Sequence, residues 1–262
     1  MCTAVVDFDP SSPVPLLLVG VRDEFADRPW LPPGPHWPDR PALLGGRDLR
    51  AGGTWLALHP QERRVACVLN GRGRPAPAAA RASRGELPLR AAGGEEPKEW
   101  DLTRFDPFHL VCADPAGARL WSWDGHELTE RTLGAGLHII VNTGLEGAGP
   151  AAATDPQEAE GARQMAARIA HFRPRLAAAR RPAPRTGTTA AAWGEWLPLV
   201  EGDGLDRSDP RALILTRRFP QGLWGTSSIS LVALSPQSVR YDFASARRER
   251  PEWTTLLPSP GN

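Results

Sequence analysis

Lysine is almost missing from this chain: of 31 basic residues, Lys98 is the only one that is not arginine. Together with 26 Gly and 28 Pro in 262 residues, that usage reads as high genomic G+C content rather than as function. A charge of one sign is missing too. The formal net charge is +1, so no global field points to nucleic acid or to an anionic membrane as partner. No run approaches the roughly 18–20 apolar residues that a spanning helix needs. Asp7 and Asp9 interrupt the first apolar run and no basic segment precedes it, so no signal peptide is expected. The three cysteines, Cys2, Cys67 and Cys112, form an odd set without CxxC spacing. That argues against a disulfide framework or a zinc site and for a reduced, cytoplasmic protein. The six histidines, at 36, 59, 109, 126, 138 and 171, include no i, i+4 pair, and neither HExxH nor CxxCH occurs. Metal binding and covalent haem attachment are therefore unsupported.

What is present is an ordinary soluble composition, 41% hydrophobic and 23% charged, in a chain long enough to bury a sizeable core. Residues 2–8 and 15–22 read as strands joined by Pro/Ser/Asp turn chemistry, and their continuous apolar character suggests a sheet covered on both faces. Residues 25–50 hold six prolines and read as an irregular surface loop. Further strands are expected over 52–58, 64–70, 108–113, 118–123, 127–132, 137–142, 211–217, 227–234 and 239–243. The tract 71–82 reads as loop, and 180–188 as an internal linker. A capping-box spacing at Ser83–Glu86 starts a short helix that Pro88 limits. The clearest helix opens at Asp155-Pro156, with Asp155 as N-cap and apolar residues recurring at three and four through Phe172. A second, short one runs from Ala190 to Leu197 before Pro198. Strands, then helices, then strands make one α+β unit over 1–262, with no convincing domain boundary.

The chemistry concentrates at the start. Cys2 follows the initiator Met, whose removal would leave a free α-amine with a pKa of about 7.7–8.0. Such an amine can act as the base that activates its own thiol. The returning second strand would bring Arg22 and Asp23 towards Cys2, although adjacent residues on a regular strand face opposite ways. Asn70 and Asn142 each end an apolar strand, where their amides could serve as donors to an oxyanion or to substrate. Trp30, Trp37 and Trp55 are candidates for the wall of an apolar pocket.

The opening Met-Cys, Arg22-Asp23-Glu24, Arg28-Pro29, Gly52-Gly53-Thr54-Trp55-Leu56, Arg84-Gly85-Glu86-Leu87, the 108–114 strand, Asn142 and Trp224-Gly225-Thr226 occur in one order along the chain. That ordered set resembles the NRDE-domain family, also called transport and Golgi organisation protein 2. The family is similar to N-terminal-nucleophile hydrolases of the choloylglycine/penicillin V acylase type. The resemblance implies a four-layer αββα sandwich, with Cys2 as nucleophile, Asp23 orienting the α-ammonium and Arg22 lowering the thiol pKa. It also sets Thr226 and Ser227 beside the substrate. Two positions depart from the pattern: Val21 stands where the signature has Asn, and Ser227 where relatives tend to carry Arg. The intact Cys2/Arg22/Asp23 set favours a hydrolase of small amides or thioesters without cofactor. Ser227 favours the alternative, a non-catalytic carrier on the same fold that binds haem or an acyl or lipid ligand. His36 and His59 are its candidate haem contacts.

Overall fold

A computed structural model describes residues 2–147, 156–184, 186–248 and 250–257. Its strands and helices, in chain order, are β1 (Thr3–Phe8), β2 (Leu16–Phe25), β3 (Trp30–Gly34), β4 (Leu44–Asp48), β5 (Leu56–His59), β6 (Arg64–Asn70) and α1 (Leu87–Ala92). Then come β7 (Phe108–Asp114), β8 (Gly117–Trp123), β9 (Leu128–Leu133), β10 (Gly136–Val141) and β11 (Gly144–Leu145). The last third holds α2 (Pro156–Ala178), α3 (Thr189–Trp193), α4 (Trp196–Val200), β12 (Thr216–Phe219), β13 (Gly222–Leu234), β14 (Val239–Ser245) and β15 (Glu252–Leu257).

The strands form two antiparallel sheets, so the chain is α+β. One runs β11-β10-β1-β2-β13-β14-β15, with β12 paired to β13, and the other runs β3 to β9 in sequence order. Residues 16–23 of β2 are all buried, because β2 is central in its sheet and covered on both faces. Side-chain alternation sorts that cover. Val5, Leu17, Val19 and Val21 pack with Met165, Ile169 and Phe172 of α2 and with Trp193 and Trp196 of α3 and α4. Ala4, Val6, Leu16 and Leu18 face the other way, onto Leu56, Leu58, Val65 and Val111 of the second sheet. The far side of that sheet is closed by Leu87 and Leu89 of α1 against Phe108, Leu110 and Trp121.

Several expected elements are redrawn. Residues 25–50 are not all loop: β3 and β4 pair there, with a register shift between Leu31 and Gly34 around Pro32-Pro33. Proline lacks an N–H, and an edge strand with a bulge is where a sheet tolerates it. The third strand begins at Leu56 rather than Gly52. Gly53 instead lies so close to the backbone of Gly85 that an added Cβ would sit 2.4 Å from the Gly85 carbonyl carbon. Pro88 does not limit α1 but sits in its first turn, where an N–H would be unpaired anyway. Pro198 likewise lies inside α4, and Gly194, at φ 48°, is what separates α3 from α4. Residues 211–215 are turn and bend, so β12 starts at Thr216. β15 has no counterpart among the expected strands. The expected cap at Asp155 lies outside the described residues.

Candidate functional site

β1 lies between β10 and β2, with Thr3 opposite Val141 on one side and Val21 on the other. One step further out, the same register sets Cys2 between Asn142 and Arg22. Alternation puts Cys2 on the inter-sheet side, where it packs against the core between the sheets. Its Sγ donates weakly to the Asp23 carbonyl at 3.9 Å. The space beside it, bounded by Arg22, Trp55, Cys67 and Leu69, is about 20 Å³, room for one water. Burial pushes the Cys2 thiol pKa up and the Asp23 charge adds to that. The positive chain terminus, the bond to the Asp23 carbonyl and Arg22 pull it down without reversing the direction.

Arg22 shares the inter-sheet face with Cys2, and its guanidinium is buried and fully directed. It donates to Ser227 Oγ at 3.1 Å and to Asp48 Oδ2 at 3.0 Å, lies 3.5 Å from Glu24, and sits 4.5 Å above the Trp55 ring. Ser227 Oγ donates back to the Arg22 carbonyl at 3.1 Å. Asp48 anchors the cluster. It also accepts from Arg28 at 2.6 and 3.2 Å and from the N–H groups of Arg50 and Ala51. Burial alone would raise the Asp48 pKa, but these donors hold it below the usual carboxylate value. Asp48 has no sequence signal of its own. It becomes a partner only because the second sheet stacks on the first.

Asp23 points the opposite way, towards α2. Its Oδ1 accepts from Thr226 Oγ1 at 2.7 Å, and Oδ2 lies 3.7 Å from Arg168 Nη1. The same Nη1 donates to Thr3 Oγ1 at 2.7 Å. Thr226 Oγ1 also accepts the Leu215 N–H at 3.0 Å, and a β-bulge between Thr226 and Ser228 lets β13 serve both faces of β2. All four side chains of this cluster are buried. Strand regularity thus separates Arg22 from Asp23, as alternation requires, and Asp23 meets the thiol through its carbonyl rather than its carboxylate. Arg168 was missed in the sequence, although a signal exists: 165, 168 and 172 form one helical stripe, and a charge interrupts it.

Asn142 Nδ2 donates to the Asn70 carbonyl at 2.8 Å, which joins the ends of the two sheets. Beside this pair opens a cleft of about 610 Å³, between α2 and the β12–β13 hairpin, with Phe25, Met165, Phe219 and Trp224 on its apolar wall. Trp30 and Trp55 lie together at the margin of the inter-sheet core, edge to face at 5.7 Å, with Trp30 also against Phe243 at 5.8 Å. Trp37 is elsewhere, packed with α1 on the outer face of the second sheet. Thr226 and Ser227 border a smaller cleft of about 200 Å³ with Arg207 and Arg247.

The family model for transport and Golgi organisation 2 matches residues 1–173, about two thirds of the chain. The chain belongs to this family. No curated protein matches it. Within this transport and Golgi organisation 2 chain the matched stretch contains Cys2, Arg22, Asp23, Asp48, Asn70, Asn142 and Arg168, while β12 and β13 lie beyond it.

On the other side of Asn142, a second cleft of about 350 Å³ is lined by Arg72, His109, Ser122 and Thr143. His109 Nδ1 lies 2.8 Å from Ser122 Oγ, and the ring also bonds the Asn142 carbonyl. Burial pushes the His109 pKa down to about 4, with the Asn142 bond opposing, so the ring is neutral near pH 7 and donates to Asn142. The candidate haem contacts are occupied locally: His36 Nε2 lies 2.7 Å from the Pro32 carbonyl, and His59 Nδ1 accepts the Glu62 N–H at 3.3 Å. Among the described residues no group of three or more His, Cys, Asp or Glu could hold a metal ion, and no helix is long and apolar enough to cross a membrane.

Proposed function

We propose that the chain is an N-terminal-cysteine hydrolase of small amides or thioesters, on an αββα sandwich of the N-terminal-nucleophile type. The succession helices, sheet, sheet, short helix supports that assignment. The observation that carries the reading is the position of Cys2: between Asn142 and Arg22 in register, on a strand whose opposite face is held by the buried Thr3–Arg168–Asp23 cluster. After removal of Met1, the Cys2 α-amine takes the thiol proton, and the thiolate attacks the substrate carbonyl carbon. The tetrahedral oxyanion collapses, the leaving amine or thiol departs with that proton, and a thioester remains on Cys2. Water then hydrolyses the thioester, releases the acid and restores the thiol. Burial that raises the thiol pKa makes a nearby base necessary, and Arg22, pinned by Asp48 and Ser227, supplies fixed positive charge on the same face.

A carrier is the second reading, because Ser227 spends its hydroxyl on Arg22 instead of placing a cation at the site. Its ligand would be an acyl or lipid group against Phe25, Met165, Phe219 and Trp224. The histidine contacts above do not favour haem.

Intact mass spectrometry before and after iodoacetamide, with Cys2→Ala as control, tests the choice. The hydrolase reading expects loss of Met1 and one alkylation that Cys2→Ala removes. Retained Met1 with an inert Cys2 would sink it.

A further inference from the structure

The cleft of about 610 Å³ beside Asn142 has the size of an ordinary small-ligand site. Its apolar wall is largely aromatic, with Phe219 and Trp224 meeting edge to face at 6.1 Å. Such a wall suits a ring or a branched apolar group. The charges around it are balanced and already engaged with protein partners. Arg217 donates to Gln164 Oε1, and Arg72 donates to the Glu158 carbonyl at 2.7 Å. Glu160 accepts from Arg163 and Gln164, both at 2.7 Å. With Glu158 and Glu160 beside Arg72 and Arg217, the cleft offers no net positive charge to draw in a carboxylate or phosphate, and a neutral ligand leaves these bonds in place.

The polar feature that remains is Asn142. Its Nδ2 is given to the Asn70 carbonyl, and this fixes which way round the amide sits. Oδ1 is then an acceptor, buried and without a hydrogen-bond partner among the described residues. A buried acceptor of this kind calls for a donor, and small rotations of an Asn amide are soft.

We propose that this cleft binds a neutral secondary amide carrying an aromatic or branched apolar group, the group against Phe219 and Trp224 and the amide N–H donated to Asn142 Oδ1. The proposal narrows the substrate of the hydrolase reading, on which it rests for turnover but not for binding. Asn142 acts here as acceptor for the substrate N–H rather than as oxyanion donor. An ester or thioester fills the same wall but leaves Oδ1 unpaired.

Isothermal titration calorimetry on the full chain with Cys2→Ala, which removes turnover, tests it with N-benzylbenzamide, N-benzyl-N-methylbenzamide and benzyl benzoate. The secondary amide is expected to bind roughly tenfold more tightly than the other two, the worth of one buried hydrogen bond. Adding Asn142→Leu should level the three affinities, and adding Trp224→Ala should weaken all three alike. Equal affinity for the three compounds, or no binding of any, overturns the proposal whether or not the Asn142→Leu chain folds. A preference that survives Asn142→Leu, or affinities that ignore Trp224→Ala, does so too. If the preference holds while unsubstituted protein neither acquires a benzoyl group on Cys2 nor releases benzylamine, the binding site stands and the hydrolase reading falls.

Discussion

Acid should act on this protein through His109. The imidazole is buried between Ser122 Oγ and the Asn142 carbonyl, and its folded pKa is about 4 against about 6.5 in an unfolded chain. Because the folded value is the lower one, the unfolded state takes up the proton first as pH falls. The associated stability is therefore fully present above about pH 6.5 and is lost progressively as pH drops through the interval towards about 4. At about 1.4 kcal/mol per pH unit, the loss integrates to about 2 kcal/mol by pH 5 and about 3 kcal/mol by pH 4. Carboxylates also titrate in this range, so the informative quantity is a difference. Urea unfolding of the protein and of His109→Gln would be followed from about pH 7 to about pH 4. The gap between their stabilities should close by those amounts, because Gln carries no proton to be lost or gained. Curves that stay parallel over the whole interval would refute the reasoning and show that His109 titrates normally in the fold.

Two further substitutions probe the supports of the corner. Arg22→Met removes the cation shared by Asp48, Glu24 and Ser227, and should cost roughly 3–5 kcal/mol in urea unfolding, as expected when one partner of a buried pair is lost. A loss below about 1 kcal/mol would mean that Arg28 alone satisfies Asp48. Gly53→Ala forces a Cβ to 2.4 Å from the Gly85 carbonyl carbon, backbone that cannot swing aside. It should lower the melting temperature by an amount equivalent to roughly 1–3 kcal/mol, and an unchanged melting point would show that the two loops separate freely.

Much of the frame was legible because period-two patterning is local. β6 appears where expected, residue for residue, and β1, β2, β7, β8, β10 and β14 within one to three residues at each end. The alternation rule also anticipated the split of Arg22 from Asp23. Less local signals failed. The β3–β4 pairing was hidden under prolines that usually mark loops, and β15 is half-buried and carries little apolar contrast. Pro88 and Pro198, which the sequence sets as limits of their helices, lie in the first turns of α1 and α4, where helices accept proline.

The sequence by itself determined that Cys2 stands at the head of a strand, one residue before it begins at Thr3, that the next strand returns Arg22 and Asp23 to its level, and that both strands are covered on two sides. These follow from side-chain order and turn chemistry within some 25 residues. Tertiary structure decided which partner each face meets. Asp48 from the second sheet and Ser227, 205 positions away, take Arg22. Arg168, from a helix on the outer face, and Thr226 take Asp23. No local pattern encodes such pairs. Burial of a charge obliges a partner, but the layer stacked over the strand chooses which one.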